Sequence, residues 1–531
     1  MTAVLSGRDV LAVMPTGSGK SLGYQLPAVI LPGATVVVSP LISLMKDQVD
    51  ELNRRGIPSG ALHSMLPPAA RRDVIAAARG GRLRLLYVAP ERFASDAFVQ
   101  LLDELTVARF VIDEAHCVSE WGHDFRPDYR RLKAAAAACR TPDGRRRPPI
   151  AAFTATATPE VRKDVVAMLG LESPQVLVAG FDRPNIHLRV GRVDDDEEKH
   201  ELLPELVGGR RALVYAATRK STEAAAATLT AAGIDAAAYH AGLKDDERTR
   251  VQDAFASGAL RVVCATNAFG MGIDRPDVEA VVHFAIPGSV EAYYQEIGRA
   301  GRDGRPATAT LLWDYADVSL REFLIDAPRQ DKRRNGLAID PADVARRREM
   351  EHRRLRRMVA YAETGACLRA TILRYFGDPA VRVPCEACGN CRPRGLDAHD
   401  RELVRTLLAG IAGAGERYGR RRIVAMLTGD TSELPPSLTT LPTAGALRHV
   451  RPDQLRRWID STSTAGLISV SADKYRTLSL TPLGRDVMAG RTREWPMRTP
   501  ERLPSIWTSR RLRDRFERFD RRGRLLRTNF T

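Results

Sequence analysis

Short apolar runs recur along the first 315 residues, each bounded by polar or glycine-rich stretches. Residues 10–14 (VLAVM), 34–39, 83–88, 109–113 and 150–153 are such runs, with segments of helical pattern between them. A strand whose two faces are both covered reads as a continuous apolar run, and strands alternating with helices predict a parallel, doubly wound sheet. The layout then repeats at Ala212–Tyr215, Ala236–Tyr239, Arg261–Ala265, Ala280–Phe284 and Ala309–Trp313, which predicts a second α/β lobe. The Ala-rich stretch Ala224–Ala238 reads as helix and linker.

Beyond residue 328 the strand rhythm stops. Asp340–Glu363 is an Arg-rich helical stretch that leads into a cysteine cluster. From Arg401 to Leu483 the pattern is three helices and then two short strands, Leu467–Val470 and Arg476–Leu480, around a turn at Asp473. Helices followed by a hairpin predict a winged helix, with Leu434–Pro442 as a Pro-rich loop inside it. Residues 491–531 have no clear apolar period and are expected to be flexible or marginally helical. The domains expected are a first lobe at 1–180, a second at 181–328, a helical metal-binding subdomain at 329–395, a winged helix at 396–490 and a basic tail at 491–531.

Charge narrows the partners. The formal net charge is +16, which points to acidic ligands and first to nucleic acid. The tail holds thirteen Arg, no Lys and five acids, so half of the net charge lies in 41 residues. No apolar run reaches the roughly 18 residues that span a bilayer, and Met1–Ser6 lacks the basic-then-apolar build of a secretory signal. A cytoplasmic location without a membrane partner is expected.

The strongest local signal is Met14-Pro-Thr-Gly-Ser-Gly-Lys-Ser21. Thr16, Gly17, Ser18 and Gly19 form a loop whose backbone can approach phosphate closely, and its N–H groups can cradle the oxygens. Lys20 can reach the β- and γ-phosphates of ATP, and Ser21 can ligate Mg²⁺. Met14 stands where the strict pattern has Gly. Asp113-Glu-Ala-His116 follows the apolar strand Phe110–Ile112. A strand's C-terminal end beside the phosphate loop is where a second carboxylate pair belongs. Asp113 would hold Mg²⁺, and Glu114 would orient and activate the attacking water.

Seven Cys occur. Cys117, Cys139 and Cys264 stand alone and read as small buried residues. Cys367, Cys385, Cys388 and Cys391 have spacings of seventeen, two and two, which suit four thiolates around a structural metal. Zinc and an iron–sulfur cluster both accept such a set.

In this order the motifs resemble those of RecQ DNA helicases across nearly the whole chain. The matching segments are the phosphate loop, Ser39-Pro-Leu-Ile-Ser-Leu-Met-Lys-Asp-Gln48, Val88-Ala-Pro-Glu-Arg92, the DEAH box and Thr154-Ala-Thr156. After these come Tyr239-His-Ala-Gly-Leu243, Ala265-Thr-Asn-Ala-Phe-Gly-Met-Gly-Ile-Asp274 and Gln295-Glu-Ile-Gly-Arg-Ala-Gly-Arg302. The resemblance implies two tandem RecA-like lobes, a zinc-binding helical subdomain and a winged-helix domain. It implies an ATP-dependent, 3′-to-5′ DNA helicase of repair and recombination, with ATP, Mg²⁺ and Zn²⁺ as cofactors. Single-stranded and junction DNA and a single-stranded-DNA-binding protein are the implied partners. Gly272 and Asp274 would contact nucleotide, and Arg302, joined by Arg299, would reach the γ-phosphate from the second lobe.

Trp121-Gly-His-Asp-Phe-Arg-Pro127 resembles the family's aromatic-rich loop, which senses single-stranded DNA. Trp121 and Phe125 offer stacking faces, worth roughly 1–3 kcal/mol per base, and His123 and Arg126 offer polar and phosphate contacts. Tyr375-Phe-Gly377 between the cysteines favours zinc over iron. Tyr475 at the wing tip is a base-stacking wedge by the same likeness, and an exposed hairpin tyrosine otherwise. The family's Phe-Arg-x-x-Gln adenine element has no counterpart in residues 1–13, and its C-terminal helical accessory domain has none in the tail. A weakly active or inactive motor that serves mainly as a DNA-binding module is therefore the alternative. An RNA helicase is a third reading, opposed by the cysteine cluster and the aromatic loop.

Overall fold

The structure is a computed structural model. It describes residues 1–495 except Thr16, 123–124, 146, 194, 267–274, 328–340, 379–381, 392–395, 397, 433, 472–475 and 493–494. The chain divides into two compact units. One joins Met1–Val190 with Gly209–Cys391, and the other joins Gly191–Gly208 with the described residues after 391.

The first unit contains two parallel sheets. The first sheet has seven strands: β1 (Val10–Val13), β2 (Ala34–Val38), β3 (Ser59–Leu62), β4 (Leu85–Val88), β5 (Val107–Ile112), β6 (Ile150–Thr154) and β7 (Gln175–Val178), in the order β3-β4-β2-β5-β6-β1-β7. Successive strand residues point to opposite faces. Leu11, Val13, Val36, Val38, Phe110 and Ile112 enter one buried cluster. Val10, Ala12, Val37, Val111 and Phe153 enter another, together with Tyr24, Met45 and Tyr87 from the covering helices and a neighbouring strand. Burial on both faces is why these strands read as unbroken apolar runs.

The second sheet has β8 (Ile186–Arg192), β9 (Ala212–Tyr215), β10 (Ala236–Tyr239), β11 (Val262–Ala265), β12 (Ala280–His283) and β13 (Ala307–Trp313), ordered β10-β11-β9-β12-β13-β8. The pairs from β10 through β13 are parallel. In both sheets the loops at the C-terminal strand ends are where an α/β fold places ligands. The helix Pro341–Glu363 and the helix Leu368–Tyr375 complete this unit. The cysteine knuckle is tied to β8 by Leu188 N–H to Ala387 O at 3.3 Å and Gly389 N–H to Leu188 O at 2.8 Å.

The second unit is built on helices Ala398–Gly413, Arg420–Thr428 and Pro452–Thr464 and the antiparallel hairpin β14 (Ile468–Val470) and β15 (Leu478–Leu480). Leu403, Val404, Leu407, Leu408, Ile411, Leu455, Trp458 and Ile459 form its core. This is the winged helix expected from the pattern. Leu434–Pro442, expected as a loop, is not all loop, because Pro436 opens a helical turn, Pro436–Thr439. Proline's fixed φ suits the first position of a helix. Helix Asp196–Val207 also belongs to this unit, where Glu198 pairs with Arg457 at 3.0 Å. Among the described residues, no helix is long and apolar enough to cross a membrane.

Candidate nucleotide, nucleic-acid and metal sites

The phosphate loop leaves β1 at Val13 and is anchored by Met14 N–H to Thr154 O at 2.9 Å. Gly17 and Gly19 take φ of 81° and 80°, a region closed to most side chains. Ser18 donates both its N–H (3.2 Å) and its hydroxyl (2.6 Å) to Pro15 O, which closes the turn. The helix Leu22–Ile30 follows directly, so Lys20 and Ser21 stand at its N-terminal end. Amide groups and helix dipole both favour an anion there.

Asp113 and Glu114 stand at the end of β5, whose six residues are all buried. Asp113 N–H donates to Val38 O at 2.9 Å, which fixes it to the neighbouring strand. Burial, with the adjoining Glu114 carboxylate, pushes the Asp113 carboxyl up to about 6, and Lys20 opposes the rise. A carboxylate so placed gains from a cation, which is what a magnesium ligand requires. Glu114 has φ 47° and ψ 48°, a left-handed conformation that costs free energy and is retained most often at functional sites. Its carboxylate lies beside Lys20, with Nζ to Oε1 at 3.7 Å. His116 Nδ1 lies 3.3 Å from Glu114 Oε2 and 2.9 Å from Thr154 Oγ1. Thr154 thus joins the carboxylate pair to β6. The Thr-Ala-Thr segment was the signal for it, but spacing alone assigns it no partner.

The second lobe contributes arginine. A methyl group placed on Gly17 would lie 3.2 Å from Arg302 Cγ, so the Arg302 stem runs along the phosphate loop. Arg299 is buried and lies near the Tyr215 hydroxyl, whose proton loss burial resists first. The structure therefore brings Gly17, Gly19, Lys20, Ser21, Asp113, Glu114 and Arg302 to one place. Thr16, Gly272 and Asp274 lie outside the described residues.

The aromatic loop starts five residues after His116. Gly122 is required there, because any Cβ would collide with His116 O and sit 3.1 Å from Ser119 O. Trp121 is half exposed, at 50%. The Phe125 ring carries Arg130 at 5.2 Å and Arg347 at 5.9 Å from its centroid, both within cation–π range. Arg126 donates to Pro40 O at 3.1 Å, so this donor is turned onto the lobe. Arg354 donates to Glu120 O at 3.0 Å, and burial lowers its proton affinity. Sequence reading found neither Arg354 nor Arg347, since nothing marks two arginines among the many of helix Pro341–Glu363. His123 and Tyr475 lie outside the described residues, as do 493–494 and 496–531 of the tail.

Cys367, Cys385, Cys388 and Cys391 bring their sulfurs within 4.8 Å of one another. A tetrahedral zinc with bonds of about 2.3 Å needs sulfurs about 3.8 Å apart, so the cage fits. Burial, with Cys367 next, pushes the Cys388 thiol well above its usual range; a buried thiolate there needs a cation. Cys367 Sγ also accepts the Ala370 N–H at 3.4 Å. The isolated Cys117, Cys139 and Cys264 are buried, as expected.

A phosphate loop and carboxylate pair on one parallel sheet, met by an arginine from a second, define a two-lobed helicase motor. The chain matches the DEAD/DEAH box helicase family over residues 1–165 and the helicase conserved C-terminal domain over 198–304. It matches RecQ zinc-binding over 315–392 and the RQC domain over 400–504. It is 36% identical over 490 residues to the ATP-dependent DNA helicase RecQ of Bacillus subtilis (strain 168), covering 91% of this chain and 79% of that one. It is 39% identical over 430 residues to the ATP-dependent DNA helicase RecQ of Pasteurella multocida (strain Pm70), covering 80% and 64%. The solved structure of Mycobacterium smegmatis helicase Lhr bound to ssDNA and AMP-PNP aligns at 19% identity and a TM-score of 0.49, over 91% of this chain and 57% of that one. The chain belongs to the RecQ family of helicases.

Proposed function

We infer that this chain is an ATP-driven DNA helicase that moves 3′ to 5′ on single-stranded DNA and separates duplexes during repair and recombination. The observation that carries the reading is Arg302 of the second lobe lying along Gly17 of the first. In this reading the nucleotide would be held by Gly17, Ser18, Gly19 and Lys20, and Ser21 and Asp113 would hold its magnesium, which would neutralise phosphate charge. Glu114 accepts a proton from the attacking water. Arg302, with Arg299 behind it, meets charge developing on the γ-phosphate, a contribution worth roughly 10³–10⁵ in turnover. The site is complete only when both lobes meet, so hydrolysis is coupled to their closure. Trp121 and Phe125 grip bases, and His116 links their loop to Glu114.

Cys367, Cys385, Cys388 and Cys391 would hold zinc, which would supply cross-linking and no chemistry. Single-stranded and junction DNA are the proposed substrates, and a single-stranded-DNA-binding protein is a proposed partner. The test is ATP turnover with and without single-stranded DNA. Lys20→Ala, Glu114→Gln and Arg302→Ala should each fall to near background while still binding DNA. Near-normal turnover in Glu114→Gln would remove its assigned role. DNA binding without turnover in the unaltered chain would identify a binding module instead.

A further inference from the structure

Residues 179–185 connect the two sheets, and Arg183 lies within them. Its guanidinium is aimed at the loop that carries the arginine pair. Nη1 donates to Gly298 O at 3.1 Å, and Nη2 donates to Ala300 O at 2.9 Å and Gly301 O at 3.0 Å. These carbonyls flank Arg299 and immediately precede Arg302. Asn185, two residues on, donates through Nδ2 to Gly301 O at 2.8 Å and Arg305 O at 2.9 Å. The loop is neither helix nor strand. It leaves the helix Val290–Ile297 at Gly298, continues in turns closed by Ala300 N–H to Ile297 O at 3.0 Å and Gly301 N–H to Val278 O at 2.8 Å, and has φ 55° at Gly301, while the carbonyls of Gly298, Ala300 and Gly301 accept from Arg183. A Cβ on Gly301 would collide with Asn185 Nδ2 and lie 2.8 Å from Arg305 O, so the connection presses directly on the loop.

Arg183 is itself held from the other side. Arg369, 7% exposed, donates to Arg183 O at 2.7 Å and Ile186 O at 2.6 Å, and it pairs with Asp182. Arg369 sits two residues after Cys367, in the first turn of the helix Leu368–Tyr375. The Phe181 ring stacks on Phe376 with centroids 4.6 Å apart and planes 10° from parallel. Phe181 N–H donates to Asp378 Oδ2 at 2.8 Å, and the Phe181 carbonyl accepts from the Tyr294 hydroxyl at 2.8 Å. The connection is thus pinned between the cysteine subdomain and the second lobe.

We propose that Arg183 is a positioning residue for the arginine pair: its fork fixes loop 298–302 so that Arg302 meets the phosphate loop, and Arg369 fixes Arg183. The inference rests on the motor reading above. A planar guanidinium can reach three carbonyls at once, whereas a lysine ammonium is a compact point charge that does not reproduce this fork. A misplacement of about 1 Å at a reacting group can cost on the order of 100-fold in rate. In the motor reading Arg302 meets charge that develops on the γ-phosphate only in the transition state, so the loss should fall mainly on kcat.

The experiment measures DNA-stimulated ATP turnover, first in the unaltered chain. Absence of turnover there would fail the motor reading and leave nothing for Arg183 to position, so the two failures are distinguishable. With turnover present, Arg183→Ala and Arg183→Lys should lower kcat by roughly 10- to 100-fold while KM for ATP moves less than about threefold. Arg369→Lys should do the same more weakly. The decisive comparison is made in the Arg302→Ala background, under single-turnover conditions. There Arg183→Lys should lower the residual rate by a much smaller factor than in the unaltered chain, leaving only what it contributes through Arg299, because residues that act as a unit are not additive. A merely structural arginine would lower both backgrounds by the same factor, and that result overturns the proposal. So does an Arg183→Lys enzyme with unaltered kcat. If Arg183→Ala fails to fold, Arg183→Lys, which keeps the charge and most of the volume, carries the test.

Discussion

Gly122→Ala tests the link between the aromatic loop and the catalytic carboxylates with one methyl group. Gly122 does not need positive φ, so backbone strain is not at issue; only space is. The added Cβ would collide with His116 O, and it would also lie 3.1 Å from Ser119 O and 3.2 Å from the His116 carbonyl carbon. None of these is the end of a flexible side chain, so either the loop withdraws or the His116 peptide moves. Overpacking of this kind costs about 1–3 kcal/mol. The loop is stitched by Gly122 N–H to Ser119 O at 3.0 Å, Trp121 N–H to Ser119 Oγ at 3.1 Å and Arg126 N–H to Cys117 O at 2.9 Å. A shift therefore moves Trp121 with it. If the peptide yields instead, His116 loses its registration with Thr154 and Glu114. Either way, the ratio of DNA-stimulated to unstimulated ATP turnover should fall by on the order of tenfold or more, with a smaller change in the unstimulated rate. The control is Gly288→Ala, where the new Cβ meets nothing within 4 Å and the ratio should hold. A wild-type ratio in Gly122→Ala would refute the idea that the loop communicates by touching His116.

The purified chain should carry one zinc, and Cys388→Ser should unfold the cysteine subdomain, since structural zinc is worth about 10–16 kcal/mol in small modules; iron with labile sulfide on elemental analysis would rule zinc out. Asp9 accepts from Arg147 at 2.7 Å, Ile150 N–H at 2.8 Å and Glu172 N–H at 2.6 Å. Burial raises its proton affinity, but these hydrogen bonds outweigh burial and hold the carboxyl below its usual value. A lowered carboxyl stabilises the fold above its unfolded pKa of about 3.9, and that contribution is lost as pH falls through the folded value. Asp9→Ala should cost roughly 3 kcal/mol at neutral pH and little in strong acid; equal losses at both pH values, read by urea denaturation, would contradict this. Deleting 491–531 should flatten the slope of log K against log salt, by about 0.9 for each duplex phosphate that the tail neutralises, without altering base preference; an unchanged slope would exclude a DNA-binding tail.

How much of the fold and site was legible in the sequence depended on how locally each feature is encoded. Strands β1, β2, β4, β5 and β6 announced themselves because both faces are buried. Ser59–Leu62 did not, since Ser-Gly-Ala-Leu becomes a strand by pairing with β4 at the edge of the sheet and not by apolar mass. Ile186–Arg192 was missed for the opposite reason. It alternates, with Ile186 and Leu188 buried and His187 and Arg189 half-buried, so it never forms a continuous apolar run. The phosphate loop and the Asp113–Glu114 pair were readable because glycine and carboxylate identities are fixed by what the backbone and phosphate demand. Arg183 and Arg354 were not, because their partners lie 115 and 234 residues away and only folding brings them together.

Strand displacement tests the central claim most directly. A duplex with a 3′ single-stranded extension is mixed with the chain, ATP and Mg²⁺, and the released strand is followed over time. The account predicts release that requires ATP hydrolysis, is abolished by Lys20→Ala, and is much slower when the extension is 5′. A chain that binds this DNA tightly yet releases no strand with ATP would contradict it.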